Sequence, residues 1–426
     1  MLNAPTVELT QVHHRLSRGQ WLVLIAAMLG WLFDGYELGL FPVIARPALQ
    51  DVLRTLQHPV VTDGQVGLWM GRITACFLIG AAAGGILFGW LGDRIGRVRA
   101  MALSILTYSL VTGLGYFAQN GWELGAVRAV SSLGMGGQWA LGVALIMECW
   151  PEKWRPLLAG VMGAASNIGI LLVSMVARVH AVTPQSWRWM LFVAALPAFL
   201  VVFVIVFTPE SDRWRTATKH LTMSPLREVF GPEMRQRTLL GIAFASIALI
   251  GTWGSVQWMP LWADKMAGIG HPDAKATTQI LLAFGAIVGS LGAPFVGARF
   301  GRRPAYFFLC LTSLVLCGIL FHAITEYGSI FLALTFAVGA ATASFYGWFP
   351  LYLPELFPTR IRATAQGTCF NSGRVFAALG AITQGSLIGY FGGSYARAGG
   401  VVTLIYLLGM VLIWLAPETK GQPLPD

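Results

Sequence analysis

Twelve apolar runs, each about 20 residues long, follow one another along this chain of 426 residues and constrain its fold more than any other feature. A helix of that length rises about 30 Å, the thickness of the hydrocarbon core of a bilayer. Outer-membrane strands would instead give short segments of alternating polarity, which the sequence does not show. We therefore predict an all-α polytopic membrane protein with twelve transmembrane helices. The predicted spans are 20–45, 66–90, 98–118, 121–147, 157–180, 187–207, 237–262, 275–298, 303–323, 328–352, 362–391 and 396–416.

Charged residues are rare and unevenly distributed. They make up 11% of the chain, whereas 56% of it is hydrophobic, and soluble proteins carry about 25% charged residues. The net charge of +10 does not indicate a nucleic-acid partner, because the basic residues sort by membrane side. With the N-terminus inside, 19 lysines and arginines fall on the cytoplasmic side and 7 on the outer side. By the positive-inside rule we expect an inner-membrane protein with both termini in the cytoplasm.

Three short motifs occur twice, at offsets of 205 to 208 residues. The repeated segments are 92–97 with 297–302, 148–155 with 355–362, and 209–211 with 417–419. Repeats at nearly one offset predict two six-helix bundles related by a parallel pseudo-repeat, with a substrate site between them. The predicted division is a cytoplasmic N-terminal segment 1–19, a first bundle 20–208, a cytoplasmic central loop 209–236, a second bundle 237–416 and a cytoplasmic tail 417–426.

The loop from Gly89 to Arg97 reads G-W-L-G-D-R-I-G-R and resembles the signature loop of the major facilitator superfamily. The finer motifs resemble the metabolite, aromatic-acid and sialate proton symporters, which lie near the sugar porters. These motifs are Asp34-Gly-Tyr-Glu37, the run 352–364 and Asn371-Ser-Gly-Arg374. The resemblance covers nearly the whole chain and implies a secondary transporter that works by alternating access. It is not an enzyme, and we expect no cofactor and no metal.

Orientation alone needs only lysine and arginine, so the repeated acid and arginine pairs at the predicted cytoplasmic ends have a second interpretation. Carboxylates there can pair with arginines of the opposite bundle in one state and release them in another. The predicted cytoplasmic gate comprises Gly89, Asp93, Arg94, Gly96, Arg97, Glu148, Arg155, Glu355 and Arg362. The alternative is that these charges mark topology only. Because Ala298 stands where the first repeat has Asp93, we expect the second-half latch to be weaker.

Few ionisable residues fall inside the predicted spans, where a charge is costly and faces a cavity or a partner. Asp34 and Glu37 are three residues apart and share a helix face, which favours a proton-coupling site with Arg128 as counter-charge. Arg374 has no buried acid in its own half, so its planar guanidinium predicts a carboxylate substrate. The alternatives are an internal pair of Arg374 with Asp34 or Glu37, and a purely structural Asp34.

Other polar or aromatic residues inside the spans supply further candidates for substrate contact. They are Arg72, Gln138, Trp253, Gln257, Tyr346 and Asn371. The resemblance implies that helices one, four, seven and ten line the cavity. A membrane tryptophan or tyrosine can instead belong to the interfacial belt or the core.

The function that follows is proton-coupled uptake of a small organic anion, such as a carboxylate metabolite, an aromatic acid or an acidic sugar. The expected partners are this substrate, protons and the lipid bilayer, and we expect the chain to work as a monomer. The alternatives within transport are a neutral-sugar porter and an efflux antiporter. A membrane enzyme would need a catalytic constellation, which is not evident, and a non-transporting sensor stays open. Arg374 discriminates between an anion carrier and the other transporters.

Overall fold

The computed structural model describes residues 16–54, 61, 63–177, 179–180, 182–217, 225–268, 271 and 274–425. Within these ranges the chain is helical and contains no strand, which confirms the predicted all-α class. Two short helices, Asp212–Ala217 and Pro225–Val229, lie in the segment that joins the two halves of the molecule.

The described residues form twelve long helical segments in the predicted order, six in each half. They are α1 Arg18–Val52, α2 Asp63–Ile95, α3 Arg97–Leu114, α4 Gly121–Cys149, α5 Arg155–Val176, α6 Arg188–Phe207, α7 Arg235–Ala267, α8 Ala274–Phe300, α9 Arg302–Ala323, α10 Ser329–Leu356, α11 Arg362–Tyr390 and α12 Tyr395–Leu415. Eleven are long and apolar enough to cross a membrane; α11 has the length, 29 residues, but carries more polar side chains. The domain boundaries given above remain predictions.

The helix starts show why the repeated motifs recur. Gly96 precedes α3 with a φ of 106°, and Gly301 precedes α9 with a φ of 102°. This left-handed region favours glycine. A Cβ at Gly96 would lie 2.3 Å from the carboxylate of Glu210, and one at Gly301 would lie 2.9 Å from that of Glu418. In each half, the third helix therefore follows the same glycine turn, and an equivalent acid lies next to that glycine.

The two halves meet mainly where α2 packs on α11 and where α5 packs on α8. Glycines allow both contacts: a Cβ at Gly89 would lie 2.6 Å from the backbone oxygen of Ala363, and one at Gly160 would lie 2.8 Å from that of Leu291. Small residues permit such close backbone approach in membrane helices. Residues 89–97 lie at the end of the molecule that also holds the start of α1 and the tail after α12. We call this the signature-loop end. There the Gln20 side chain donates to the backbone oxygen of Cys149, and the Glu418 carboxylate accepts from the backbone of Arg302.

Candidate functional site

A cavity of about 130 Å³ lies between the two halves. Its described walls come from α1, α2 and α5 of the first half and from α7, α8, α10 and α11 of the second. Four predicted substrate residues line it, namely Trp253, Gln257, Tyr346 and Arg374. None of the described lining residues belongs to α4, so the expectation that helices one, four, seven and ten form the cavity holds only in part. Helices α2, α5, α8 and α11 also line the cavity.

Arg374 of α11 is the one charged side chain among the described residues of the cavity wall. It is only 5% exposed, and its Nη1 atom has no hydrogen-bond partner. The guanidinium lies 5.6 Å from the centre of the Phe370 ring, in position for a cation–π interaction. No carboxylate in the described part of the chain forms an ion pair with it. A charged group this deep without a partner is costly, and a bound anion would remove that cost.

Asp34 lies in α1 and is not among the described residues that line the cavity. Its side chain is buried, and Oδ1 has no hydrogen-bond partner. The two charges are close enough to attract each other across the interface between the halves. They do not form an ion pair within the described residues, so the alternative of a direct structural pair is not what this conformation shows.

Glu37, one helical turn after Asp34, is in a different environment. Arg128 of α4 forms an ion pair with Glu37 Oε1, and Thr112 of α3 donates a hydrogen bond to the same oxygen at 2.6 Å. The ring of Phe77 lies 4.7 Å from the Arg128 guanidinium. The predicted counter-charge of the acid pair therefore neutralises Glu37 and leaves Asp34 without a cation of its own half among the described side chains.

Neutral groups complete the cavity wall. The Tyr346 hydroxyl donates to Thr252 Oγ1 at 3.1 Å. The helix α7 is interrupted after Trp253, and Gln257 lies in the 3₁₀ turn Val256–Trp258. Trp253 and Gln257 therefore line the cavity from two segments, not from one continuous helix face.

Three predicted binding residues lie away from the cavity. Arg72 is exposed on the outer surface of α2. Gln138 is buried in the first half, where its Oε1 accepts from Ser104 at 3.1 Å. Asn371 Nδ2 donates to the backbone oxygen of Gly136 at 3.0 Å, which ties α11 to α4 across the halves.

Sequence reasoning missed several polar residues of the wall, which are Ser166, Asn167, Thr252, Gln279 and Thr342. Asn167 lies within an apolar run as Gln138 does, and the same argument could have identified it, whereas Gln279 follows Lys275 and two threonines. What the sequence does not contain is the rotation of each helix about its axis.

The signature-loop end of the molecule is closed by Asp93. This carboxylate lies at the end of α2 and accepts hydrogen bonds from the backbone of Ala363 at 3.2 Å and of Thr364 at 2.7 Å. The Thr364 hydroxyl donates to it as well, at 2.5 Å. A carboxylate at a helix N-terminus satisfies free N–H groups and interacts favourably with the helix dipole. Asp93 thus joins the first half to the start of α11 in the second.

A buried charge network lies beside this contact. Glu148 Oε1 is 3.1 Å from Arg97 Nη2 and 3.1 Å from Arg362 Nη1, so one carboxylate bridges arginines of both halves. Arg97 Nη2 also donates to the backbone oxygen of Thr359 at 2.7 Å. All three charged side chains are fully buried. Four of the predicted gate residues therefore form one closed contact between the halves.

The sequence matches known protein families over nearly its whole length. The sequence model of the Major Facilitator Superfamily matches residues 21–298, and the model described as sugar (and other) transporter matches residues 250–422. The chain belongs to the Major Facilitator Superfamily. It is a multi-pass membrane transporter of small molecules and not an enzyme.

Several relatives in the superfamily match almost end to end. The cis,cis-muconate transport protein of Acinetobacter baylyi is 28% identical, with 96% of this chain and 97% of that protein covered. The inner membrane metabolite transport protein YgcS of Escherichia coli is 28% identical, with 92% and 90% covered. Among solved structures, the proton:xylose symporter XylE superposes with a TM-score of 0.79 at 20% identity, covering 95% of this chain and 98% of that one.

The repeat-equivalent charged residues of the second half form different ion pairs from those of the first half. Glu355 binds Arg302 of its own half through two bonds of 2.9 and 2.6 Å, and Arg155 pairs with Glu152 at 3.0 Å. Arg155 and Glu355, the repeat equivalents of Arg362 and Glu148, form no ion pair with each other. With Ala298 in place of an acid, the start of α5 also receives no carboxylate from α8.

Two acids outside the membrane helices accept hydrogen bonds from backbone N–H groups at the starts of α3 and α9. Glu210 accepts from the backbone of Val98 at 3.1 Å, and burial raises the pKa of its carboxyl. Glu418 accepts from the backbone of Arg302 at 2.9 Å and of Arg303 at 3.0 Å. Burial opposes ionisation of Glu418, but these N–H donors prevail and lower its pKa.

The tail after α12 completes the closed end. The backbone oxygen of Pro425 accepts from Arg362 Nη2 at 2.7 Å, and Leu424 is only 4% exposed. Arg94, a predicted gate residue, stays outside this network: it is exposed and its guanidinium lies 5.0 Å from the ring of Trp90.

Proposed function

We propose that this transporter takes up a small organic anion together with a proton, by alternating access. The observation that carries the proposal is Arg374, a buried guanidinium at the wall of the central cavity without a hydrogen-bond partner on Nη1. We further propose that it works as a monomer, because both walls of the cavity come from one chain.

The geometry around Arg374 favours a carboxylate on a small, flat molecule. A guanidinium presents paired donors that match a carboxylate, and the Phe370 ring lies on one side of it. The cavity of about 130 Å³ is close to the roughly 150 Å³ of an engineered cavity that binds benzene. A relative is named for the transport of muconate, a dicarboxylate, which is the same class of solute.

The acid that carries the proton is Asp34 in this proposal. Glu37 already has Arg128 as its cation, whereas Asp34 has only the more distant Arg374. A carboxylate at this depth without a partner is expensive, and protonation removes its charge. When a substrate anion then neutralises Arg374, both halves of the cavity become uncharged and can close around the bound substrate.

The orientation follows from the basic residues. The signature-loop end carries the excess of lysine and arginine, so we place it and both chain termini in the cytoplasm of a cell with this protein in its inner membrane. The network of Asp93, Arg97, Glu148 and Arg362 then closes the cytoplasmic side. Inward release requires these contacts to part.

Proteoliposome uptake of radiolabelled cis,cis-muconate and benzoate, driven by an inward proton gradient, tests the proposal. We expect Arg374→Gln to abolish acid uptake and Arg374→Lys to reduce it at least tenfold, because lysine keeps the charge without the paired donors. Arg397→Gln, at an exposed arginine of α12, is the matched control and should transport like the wild type. Unchanged acid uptake in Arg374→Gln would refute the anion proposal.

A neutral-sugar porter is the second candidate. It is favoured by the match to the sugar transporter model over 250–422 and by the amides Asn167, Gln257 and Gln279 in the cavity wall, which suit hydroxyl groups. Uptake of xylose that survives Arg374→Gln, with no uptake of either acid by the wild type, would establish this candidate in place of the first.

A further inference from the structure

One face of α2 is exposed from Leu68 to Leu87 and points away from the protein. It includes Leu68, Ile79 and Leu87, which are 56%, 60% and 43% exposed. The opposite face of the helix packs on α11 through Gly85 and Gly89. In a membrane protein, an exposed apolar face opposite the packed one contacts lipid.

Arg72 lies on this lipid-facing surface and is itself exposed. Its guanidinium carbon is 5.2 Å from the ring of Trp69 and 5.9 Å from that of Trp122. The two rings meet edge to face with centroids 4.9 Å apart, and Trp122 is 69% exposed. Within the described residues, no carboxylate pairs with Arg72 and no acceptor binds its N–H groups. The aromatic rings therefore hold the cation in place and leave its hydrogen-bond donors open.

The depth of Arg72 can be read from a second arginine on the same helix face. Arg94 is 22 residues further along α2, is also exposed, and lies 5.0 Å from the ring of Trp90. At 1.5 Å per residue the two arginines are about 33 Å apart along the helix, close to the thickness of the hydrocarbon core. When one guanidinium is at the headgroup level of the leaflet at the signature-loop end, the other is at that level in the opposite leaflet.

We propose that Trp69, Arg72 and Trp122 form a binding site for the phosphate of an anionic phospholipid in the leaflet opposite the signature-loop end. An arginine at the membrane edge needs a counter-charge, and its fork binds phosphate through two parallel hydrogen bonds. Tryptophan prefers this layer of the membrane, and its ring face attracts the cation. A headgroup such as phosphatidylglycerol satisfies the site, whereas the ammonium of phosphatidylethanolamine is repelled by Arg72.

Native mass spectrometry of the purified full chain in detergent tests this site. The protein is titrated with phosphatidylglycerol or with phosphatidylcholine, and bound lipids are counted. We expect the wild type to retain one phosphatidylglycerol more than Arg72→Gln does, and Trp122→Leu to weaken retention severalfold. Retention of phosphatidylcholine in an Arg72-dependent manner, to the same extent, would overturn the choice of an anionic lipid.

Two controls separate this site from general charge effects. Arg397→Gln removes one exposed arginine from the same end of the molecule without an aromatic partner among the described rings, and should keep the extra lipid. Loss of lipid from Arg397→Gln equal to that from Arg72→Gln overturns the proposal. Inorganic phosphate at millimolar concentration should not displace the lipid, and displacement would show a site for a soluble anion. The melting temperatures of lipid-free variants should match, which excludes misfolding as the cause.

Discussion

Glu148 and Arg362 lie 3.1 Å apart although they are 214 residues apart in the chain and belong to different halves. Both side chains are fully buried, and Arg97 shares the same carboxylate oxygen. Asp93 also pairs with Arg97, at 2.7 Å, so Glu148 is the acid that Arg362 of the other half depends on.

Replacing Glu148 by Gln should open this end. The change leaves Arg97 and Arg362 without their shared anion, and breaking a buried ion pair costs about 3 kcal/mol or more. The expected result is a longer distance between spin labels on the exposed residues Arg99 and Lys420. Glu152→Gln, which removes an acid whose side chain is 55% exposed, is the control and should leave the distance unchanged.

Adding an acid at Ala298 should strengthen the closed state. Ala298→Asp would give α8 the carboxylate that Asp93 supplies on α2, and such a group at a helix N-terminus contributes about 1 kcal/mol. We expect slower transport and a higher melting temperature. Asp93→Asn should have the opposite effect on melting. If Ala298→Asp transported at the normal rate with an unchanged melting temperature, the asymmetry of the two halves would have no role in closure.

The packing of the tail should matter for closure as well. Leu424 is 4% exposed, and truncation of a buried leucine to alanine costs about 2–5 kcal/mol. Leu424→Ala should therefore loosen the contact of Pro425 with Arg362 and shift the same spin-label distance towards the open value. Gln422→Ala changes an exposed residue of the same segment and should not. Equal distances in both variants would show that the tail is dispensable.

Asp34 and Glu37 should respond differently to neutralisation. Asp34→Asn is expected to abolish proton-driven accumulation of cis,cis-muconate but to retain exchange of labelled for unlabelled substrate, because exchange needs no net proton movement. Glu37→Gln removes the partner of the buried Arg128 and should reduce both activities. Equal loss of accumulation and exchange in Asp34→Asn would assign this acid to binding or structure.

Most of the fold was predictable because membrane helices need long apolar runs, and the repeats at 92–97 and 297–302 begin at equivalent glycine turns. The predicted eleventh span, 362–391, matches Arg362–Tyr390 closely. The first helix, Arg18–Val52, extends beyond the predicted span 20–45 and continues through Pro42 and Pro47.

The sequence identifies charged and polar residues within the apolar runs but not the direction in which each side chain points. Arg72 and Arg374 are both charges within apolar runs, yet one faces outward and the other the cavity. A run of apolar residues on all sides gives little information about which side of the helix packs, so the sequence does not reveal that Asn371 Nδ2 donates to the backbone oxygen of Gly136.

The unequal closure of the two interfaces determines how the halves can separate. On the α2–α11 side, Asp93 accepts hydrogen bonds from the backbone of Ala363 and Thr364. On the α5–α8 side, the helices approach closely at Gly160. We expect the α2–α11 contact to break on opening and the α5–α8 contact to persist. We expect α11 to move further from α2 than α5 moves from α8 when the signature-loop end opens.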